Sequence, residues 1–254
     1  GAPFLVVHRA DLQNLLADAA RKEGAILSLG SDLTAVEPSF GGVRAVVKQG
    51  DTLLAHGADI LVGADGVRSA VRAHLGVKDP PVFARRLAYR ATVPVPERHP
   101  PDVRLYLGRD AHLVVYPVKG GEVLNLVAIA KQTEPVARFG GGCPKLAVHA
   151  AFASWTGEVR KLLESASHFL CWGLYDIDPL PRWGSGRVTL LGDAAHAMLP
   201  FLAQGAAQAI EDAASLAGAL ARENDAATAL RAYESERRGR TARIQGEARR
   251  NGMI

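Results

Sequence analysis

Cysteine is scarce: the 254 residues hold only Cys143 and Cys171, with no metal-ligand spacing between them. Two such distant thiols suit a reducing compartment, and a cytoplasmic location is the expectation. No apolar run reaches the roughly 18 residues a membrane helix needs. The opening "GAPFLVVHRADL" has no basic leader, long apolar core or cleavage site, so no secretory signal is read there. Also absent is a G-x-G-x-x-G loop opening a βαβ unit. Gly140-Gly141-Gly142 has the wrong spacing and no strand-to-helix setting.

What is present suits a globular chain. Hydrophobic residues make up 48% and charged ones 22%, enough for one large domain or two intertwined ones. The net charge of +4 has one source. "RAYESERRGRTARIQGEARR", residues 231–250, holds seven arginines against three glutamates. A nucleic-acid surface would want stacking aromatics there, and only Tyr233 is aromatic. The run reads as a solvated helix face, with a contact to a phosphate-bearing cofactor as the alternative.

"FLVVH" (4–8) reads as a strand end, and "RADLQNLLADAARKEGA" as a helix closed by Gly24. Short apolar runs follow, with hairpin turns at Gly41-Gly42 and Gln49-Gly50-Asp51. "SAVRAHLG" is a short helix ending at Gly76. Prolines 80, 81, 94, 96, 100 and 101 mark a domain boundary. Beyond them the chain is β-rich, with a hairpin turn at Lys119–Glu122, then helical over "CPKLAVHAAFASWTGEVRKLLESA". "FLCWGLYDIDPLPRW" is extended and "RVTLLGD" is a buried strand. Helices run from about Gln204 to Ala221 and from Ala226 onward. The fold class is α/β: a layered nucleotide-binding type of domain interrupted by a β-sheet domain. The expected boundaries are 1–79, 80–177 and 178–254.

Two turns stand out. "GRVTLLGDAAHAMLPFLAQGAAQAIEDAASLAGAL" (186–220) has a buried strand ending in Gly192-Asp193. An acid at the C-terminal edge of an α/β sheet can accept hydrogen bonds from ribose or ribityl hydroxyls. Behind it, Ala203-Gln204-Gly205-Ala206 opens a helix whose free N–H groups favour negative charge. Alternatively Asp193 merely caps a turn and the alanines pack tightly. "ADILVGADGVRSAVR" (58–72) repeats the device at Gly63-Ala64-Asp65-Gly66, with Ser69 and Arg72 following on a helix. There the plain alternative is Asp65 as a helix cap.

Together, two strand–Gly–Asp turns far apart in sequence resemble the DG and GD fingerprints of the FAD-dependent aromatic hydroxylases. The branch it resembles contains salicylate hydroxylase, 3-hydroxybenzoate 6-hydroxylase and 6-hydroxynicotinate 3-monooxygenase. "HRADL" (8–12), "AYRATVP" (88–94), "DPLPRW" (178–183) and "RRNG" (249–252) are similar to it too. The resemblance implies an FAD-binding Rossmann-like layered domain interrupted by a β-sheet substrate domain. It implies a monooxygenase that hydroxylates a small aromatic acid with NAD(P)H and O₂. Arg9, Asp65 and Asp193 match cofactor-binding residues, and Gly205 and Ala206 match backbone facing the pyrimidine edge of the flavin. Pro200 matches a proline whose carbonyl lies near the reactive isoalloxazine carbon. Gln204 would hold a polar group of the substrate. Ala203 stands where many relatives have glycine, and Ala197 where many have proline. The family carries a Gly-rich loop ahead of "GAPFLVVHR" and more chain beyond "RRNGMI", so these residues are expected to be part of a longer protein.

In "HLVVYPV", His112 and Tyr116 are four apart, which puts both on one face of a regular strand. Similar enzymes carry this pair against the substrate ring, where a histidine is a suitable base for a phenol and a tyrosine can relay or orient the hydroxyl. Core packing is the competing explanation for both. His8 and His196 adjoin motifs but are not read as catalysts, and Tyr89, Tyr106 and Trp172 are read as core, with lining of the pocket as the alternative. No nucleic-acid or membrane partner is expected, and a homodimer is left open. One alternative is a binding subunit that has lost FAD; yellow colour in the purified protein decides against it. A flavin reductase or halogenase is a second, but neither Lys119 nor Lys131 sits in a suitable halogenase motif.

Overall fold

The computed structural model describes residues 5–135 and 141–252. Phe4, which begins the first run read as a strand, and Gly140 lie outside them; residues 5–8 are not in a strand. The chain separates into two compact units, one of residues 1–27 and 85–174, the other of 28–84 and 175–254.

In chain order, helix α1 spans Arg9–Lys22. Strands β1 (Ser31–Ser39), β2 (Gly42–Gln49) and β3 (Thr52–Ala58) follow, then β4 (Leu61–Gly63) and helix α2 (Ala70–His74). Next come β5 (Val82–Pro94), β6 (Arg104–Gly108), β7 (Ala111–Val118), β8 (Val123–Lys131) and β9 (Gly141–Cys143). Helices α3 (Lys145–Ala151) and α4 (Gly157–Ser165) precede β10 (Phe169–Asp176), β11 (Gly184–Ser185) and β12 (Val188–Leu190). The chain ends in α5 (Asp193–His196), α6 (Gly205–Arg222) and α7 (Ala226–Asn251).

In the first unit the strands lie in the order β6-β7-β8-β5-β10-β9. Alternation sorts their side chains. Leu113 and Val115 of β7, Leu126 and Ala128 of β8, and Tyr89 of β5 point to one side. There they pack with Val148 of α3, Phe152 just past its end, and Val159 and Leu163 of α4, each pair spaced four apart. Tyr89 is core, as read from sequence, and Tyr106 packs against the same cluster. None of α1 is buried.

Cys143 and Cys171 form a disulfide between β9 and β10, with Cα atoms 5.7 Å apart. The sequence reading of two unrelated thiols is corrected here. Antiparallel pairing of Phe169 with Cys143 and of Cys171 with Gly141 brings them together, and a separation of 28 residues hides that register.

The second unit holds the antiparallel meander β1-β2-β3 and a sheet ordered β11-β12-β4. β4 and β12 run parallel, pairing Leu61 with Val188 and Gly63 with Leu190. Its core joins Val71, Trp183, Leu190, Leu216 and Tyr233. Tyr233 donates its hydroxyl to the Leu190 carbonyl at 3.0 Å. The buried stripe of α7 turns polar along its length: Ala229, Leu230 and Tyr233, then Arg237, Thr241 and Gln245. The basic run is therefore not only a solvated face. Arg237 is buried on carboxylates, and Arg249 pairs with Asp176 at 2.5 Å.

Candidate functional site

Parallel pairing sets the two Gly-Asp turns side by side. Gly63 and Leu190 are register partners, so both strands end at the same edge, and Leu191 N–H donates to the Gly63 carbonyl at 2.9 Å. Glycine at 63 is required by closeness: a Cβ there would lie 2.6 Å from Val71 Cβ. That contact seats α2 against the strand. A second tie comes from the buried Arg72, whose Nη1 donates to the Ala194 carbonyl of α5 at 3.0 Å and whose Nη2 donates to Val67. Burial pushes its guanidinium pKa down, partly opposed by the charge of Asp65.

The two acids of this edge do different work. Asp65 accepts from Ser69 Oγ at 2.5 Å and from the Ala70 and Val71 N–H groups at 2.7 and 3.2 Å. Its carboxylate holds the start of α2, the capping role weighed above. Asp193 is exposed, and among the described residues no group is hydrogen-bonded to its carboxylate. It stands over the first turn of α6: a Cβ on Gly205 would lie 4.0 Å from Asp193 Oδ1. Pro200 begins a single 3₁₀ turn, and Ala203 is left-handed at φ 53°, which explains why glycine suits that position. Gln204 is half-buried ahead of Gly205 and Ala206, whose N–H groups belong to the unsatisfied first turn of the helix. An exposed carboxylate beside small residues and a helix N-terminus fits a ligand with hydroxyls and an anionic edge, as FAD has.

Beneath Gly192-Asp193 lies a buried polar network that sequence reading did not find. Asp212 of α6 accepts from the Gly192 N–H at 3.1 Å and from His196 Nε2 at 2.5 Å. Its other oxygen takes Arg237 Nε at 2.8 Å. Arg237 also reaches Glu211 at 2.7 Å and Gln208 Oε1 at 2.8 Å. Burial pushes the Asp212 carboxyl up, but the hydrogen bonds from His196 and Arg237 outweigh it and hold it below the usual carboxylate range. One signal was available: Tyr233, Arg237, Thr241 and Gln245 recur every fourth residue, the spacing of one helix face.

In the other unit, His112, Val114 and Tyr116 share the face of β7 opposite its core side. Across β8 their partners are Ile129, Val127 and Asn125, and across β5 those partners meet Ala88, Arg90 and Thr92. Arg90 thus shares that face, about 10 Å from β7, two strand spacings away. Its guanidinium lies 5.9 Å from the centre of the Trp172 ring. Trp172 is half-buried there. Burial, and then the charge of Arg86, lower the His112 pKa. Arg9, the first residue of α1, is exposed in this unit.

A family profile described as FAD binding domain matches residues 2–248. The chain is 42% identical over 255 residues to 3-amino-4-hydroxybenzoate 2-monooxygenase of Streptomyces cremeus, covering 98% of this chain and 62% of that protein. It is 38% identical over 259 residues to 3-hydroxybenzoate 6-hydroxylase 1 of Aquipseudomonas alcaligenes, covering 98% and 64%. The structure of Klebsiella pneumoniae HpxO complexed with FAD and uric acid superimposes with a TM-score of 0.86 at 27% identity, over 96% of this chain and 62% of that one. The chain thus spans less than two thirds of the length of these relatives.

Proposed function

The chain belongs to the FAD binding domain family, and from that premise we propose that it is the larger part of an FAD-dependent monooxygenase that hydroxylates a small aromatic acid with NAD(P)H and O₂. One observation carries this reading. Two strand–Gly–Asp turns share one parallel strand pair, and Asp193 is left exposed over the first turn of α6.

Asp193 would accept hydroxyls of the ribityl chain. The Gly205 and Ala206 N–H groups would favour negative charge on the flavin's pyrimidine edge. Asp65 acts through α2, whose Arg72 ties the two turns together. Arg9 is proposed as a further cofactor contact, and Pro200 and Gln204 as substrate contacts. Bound FAD, reduced by NAD(P)H, supplies the activation of O₂. The sheet face of His112 and Tyr116 supplies the rest. His112, kept neutral by burial, takes the phenolic proton, and Tyr116 orients or relays it. Arg90 provides a fixed cation for the carboxylate of the acid.

The relatives support this reading over a subunit that has lost FAD: one is named as acting on 3-amino-4-hydroxybenzoate and another on 3-hydroxybenzoate. The test is NAD(P)H consumption by the flavin-loaded, full-length protein across hydroxylated benzoates and nicotinates, with product measured. At least one should accelerate oxidation and emerge with an added hydroxyl. No acceleration by any of them overturns the reading.

A further inference from the structure

Asp212 is fully buried, 0% exposed, so it cannot touch a ligand. Yet its carboxylate grips both ends of the segment that carries Asp193. One oxygen takes the Gly192 N–H just before Asp193 and also His196 Nε2 at the end of α5. The Ala195 and His196 N–H groups close back on the Gly192 carbonyl at 2.9 Å each. Gly192 itself has φ 61° and ψ −138°, a conformation that glycine alone adopts readily. Such a turn persists only where its surroundings hold it. Arg237 fixes the other oxygen of Asp212 from α7, so the hold is braced on two helices.

We propose that Asp212 is a positioning residue for the cofactor: by fixing Gly192 and His196 it aims the Asp193 carboxylate over the α6 N-terminus and so sets the affinity for FAD. This rests on the FAD reading above. A buried ion network could serve stability alone, and the two roles give different results. If Asp212 works through Asp193, removing Asp193 first leaves Asp212 nothing to aim.

The experiment is a double-mutant cycle in the full-length protein, reading the FAD dissociation constant by flavin fluorescence and the melting temperature of the same samples. Asp193→Asn and Asp212→Asn should each weaken FAD binding about tenfold. The double variant should bind no worse than Asp193→Asn alone, while the melting temperature falls equally in both backgrounds. At saturating FAD, the KM for the aromatic substrate should not change. Should Asp212→Asn fail to fold, Asp212→Glu keeps the charge, displaces the acceptor of Gly192, and takes its place in the cycle. Losses that multiply to about a hundredfold, or unchanged FAD binding in the Asp212 variant, overturn the proposal alone. A wild-type protein that binds no flavin overturns the FAD reading and this proposal with it.

Discussion

Gly63 and Leu190 face each other across two parallel strands, and each strand runs on into an acid. The space at Gly63 is already taken, since a methyl group there would meet Val71 Cβ at 2.6 Å and Leu190 Cδ2 at 3.0 Å. Gly63→Ala must push α2 off the strand. Overpacking of this kind costs about 1–3 kcal/mol. Thermal melts should show that loss. FAD affinity should fall too, because Asp65 and Arg72 move with the helix.

Two residues on either side of Pro200 should respond in opposite directions. Gly192 needs its positive φ, and a Cβ there would lie 3.2 Å from Ala209 Cβ. Gly192→Ala should cost on the order of 1–3 kcal/mol. Ala203 already bears the strain of φ 53°, roughly 1–2 kcal/mol for an L residue. Ala203→Gly removes it and gives back about 0.5–1 kcal/mol in chain entropy. Its melting temperature should equal or exceed that of the wild type.

Arg237 is the cation of a buried set, 5% exposed, with Asp212 and Glu211 on it. Arg237→Met leaves Asp212 charged and short of its partner. Breaking a buried pair from one side costs about 3–5 kcal/mol. Denaturant titration should give a loss in that range, well beyond the effect of Arg243→Met at an exposed position of the same helix.

The legible part of this fold was its local grammar. The β1-β2-β3 hairpins, the turn between β7 and β8, and both Gly-Asp turns followed from glycines between apolar runs. The shared face of His112 and Tyr116 followed from even spacing. What stayed hidden depends on register between distant segments. Arg90 meets the His112 face only because β5 pairs with β8, and Cys143 meets Cys171 only because β9 pairs with β10. Asp65 caps the start of α2 through the Ala70 and Val71 N–H groups, the cap that the strand–Gly–Asp–helix order had offered beside a cofactor contact. Composition counted the arginines of α7 without saying that one of them faces inward.

Arg90 lies on the same half-buried face as His112 and Tyr116, near the Trp172 ring. A planar guanidinium held in place suits a carboxylate better than a mobile ammonium does. Arg90→Gln should raise KM for carboxylate substrates about tenfold or more and change kcat little. For a phenol without the carboxyl group, KM should barely move. Equal losses for both substrates would mean that Arg90 supports the sheet and does not read the acid.

His112 and Arg86 make a prediction about pH. Burial lowers the His112 pKa, and the Arg86 charge lowers it further. The ordinary value for imidazole is about 6.5. The acidic limb of kcat should therefore lie below that value, leaving a neutral base at pH 7. Stability follows the same sign. The folded protein binds this proton less well than the unfolded chain does, so the contribution is complete above about pH 6.5 and is lost as pH falls through the folded value. Arg86→Met removes the repelling charge but not the burial. The limb should move up toward, yet stay below, the ordinary imidazole value, and the protein should lose less stability in acid. A pH–rate profile with melts at matching pH values measures both. A limb that shifts downward in Arg86→Met would show that Arg86 does not act on His112 through charge.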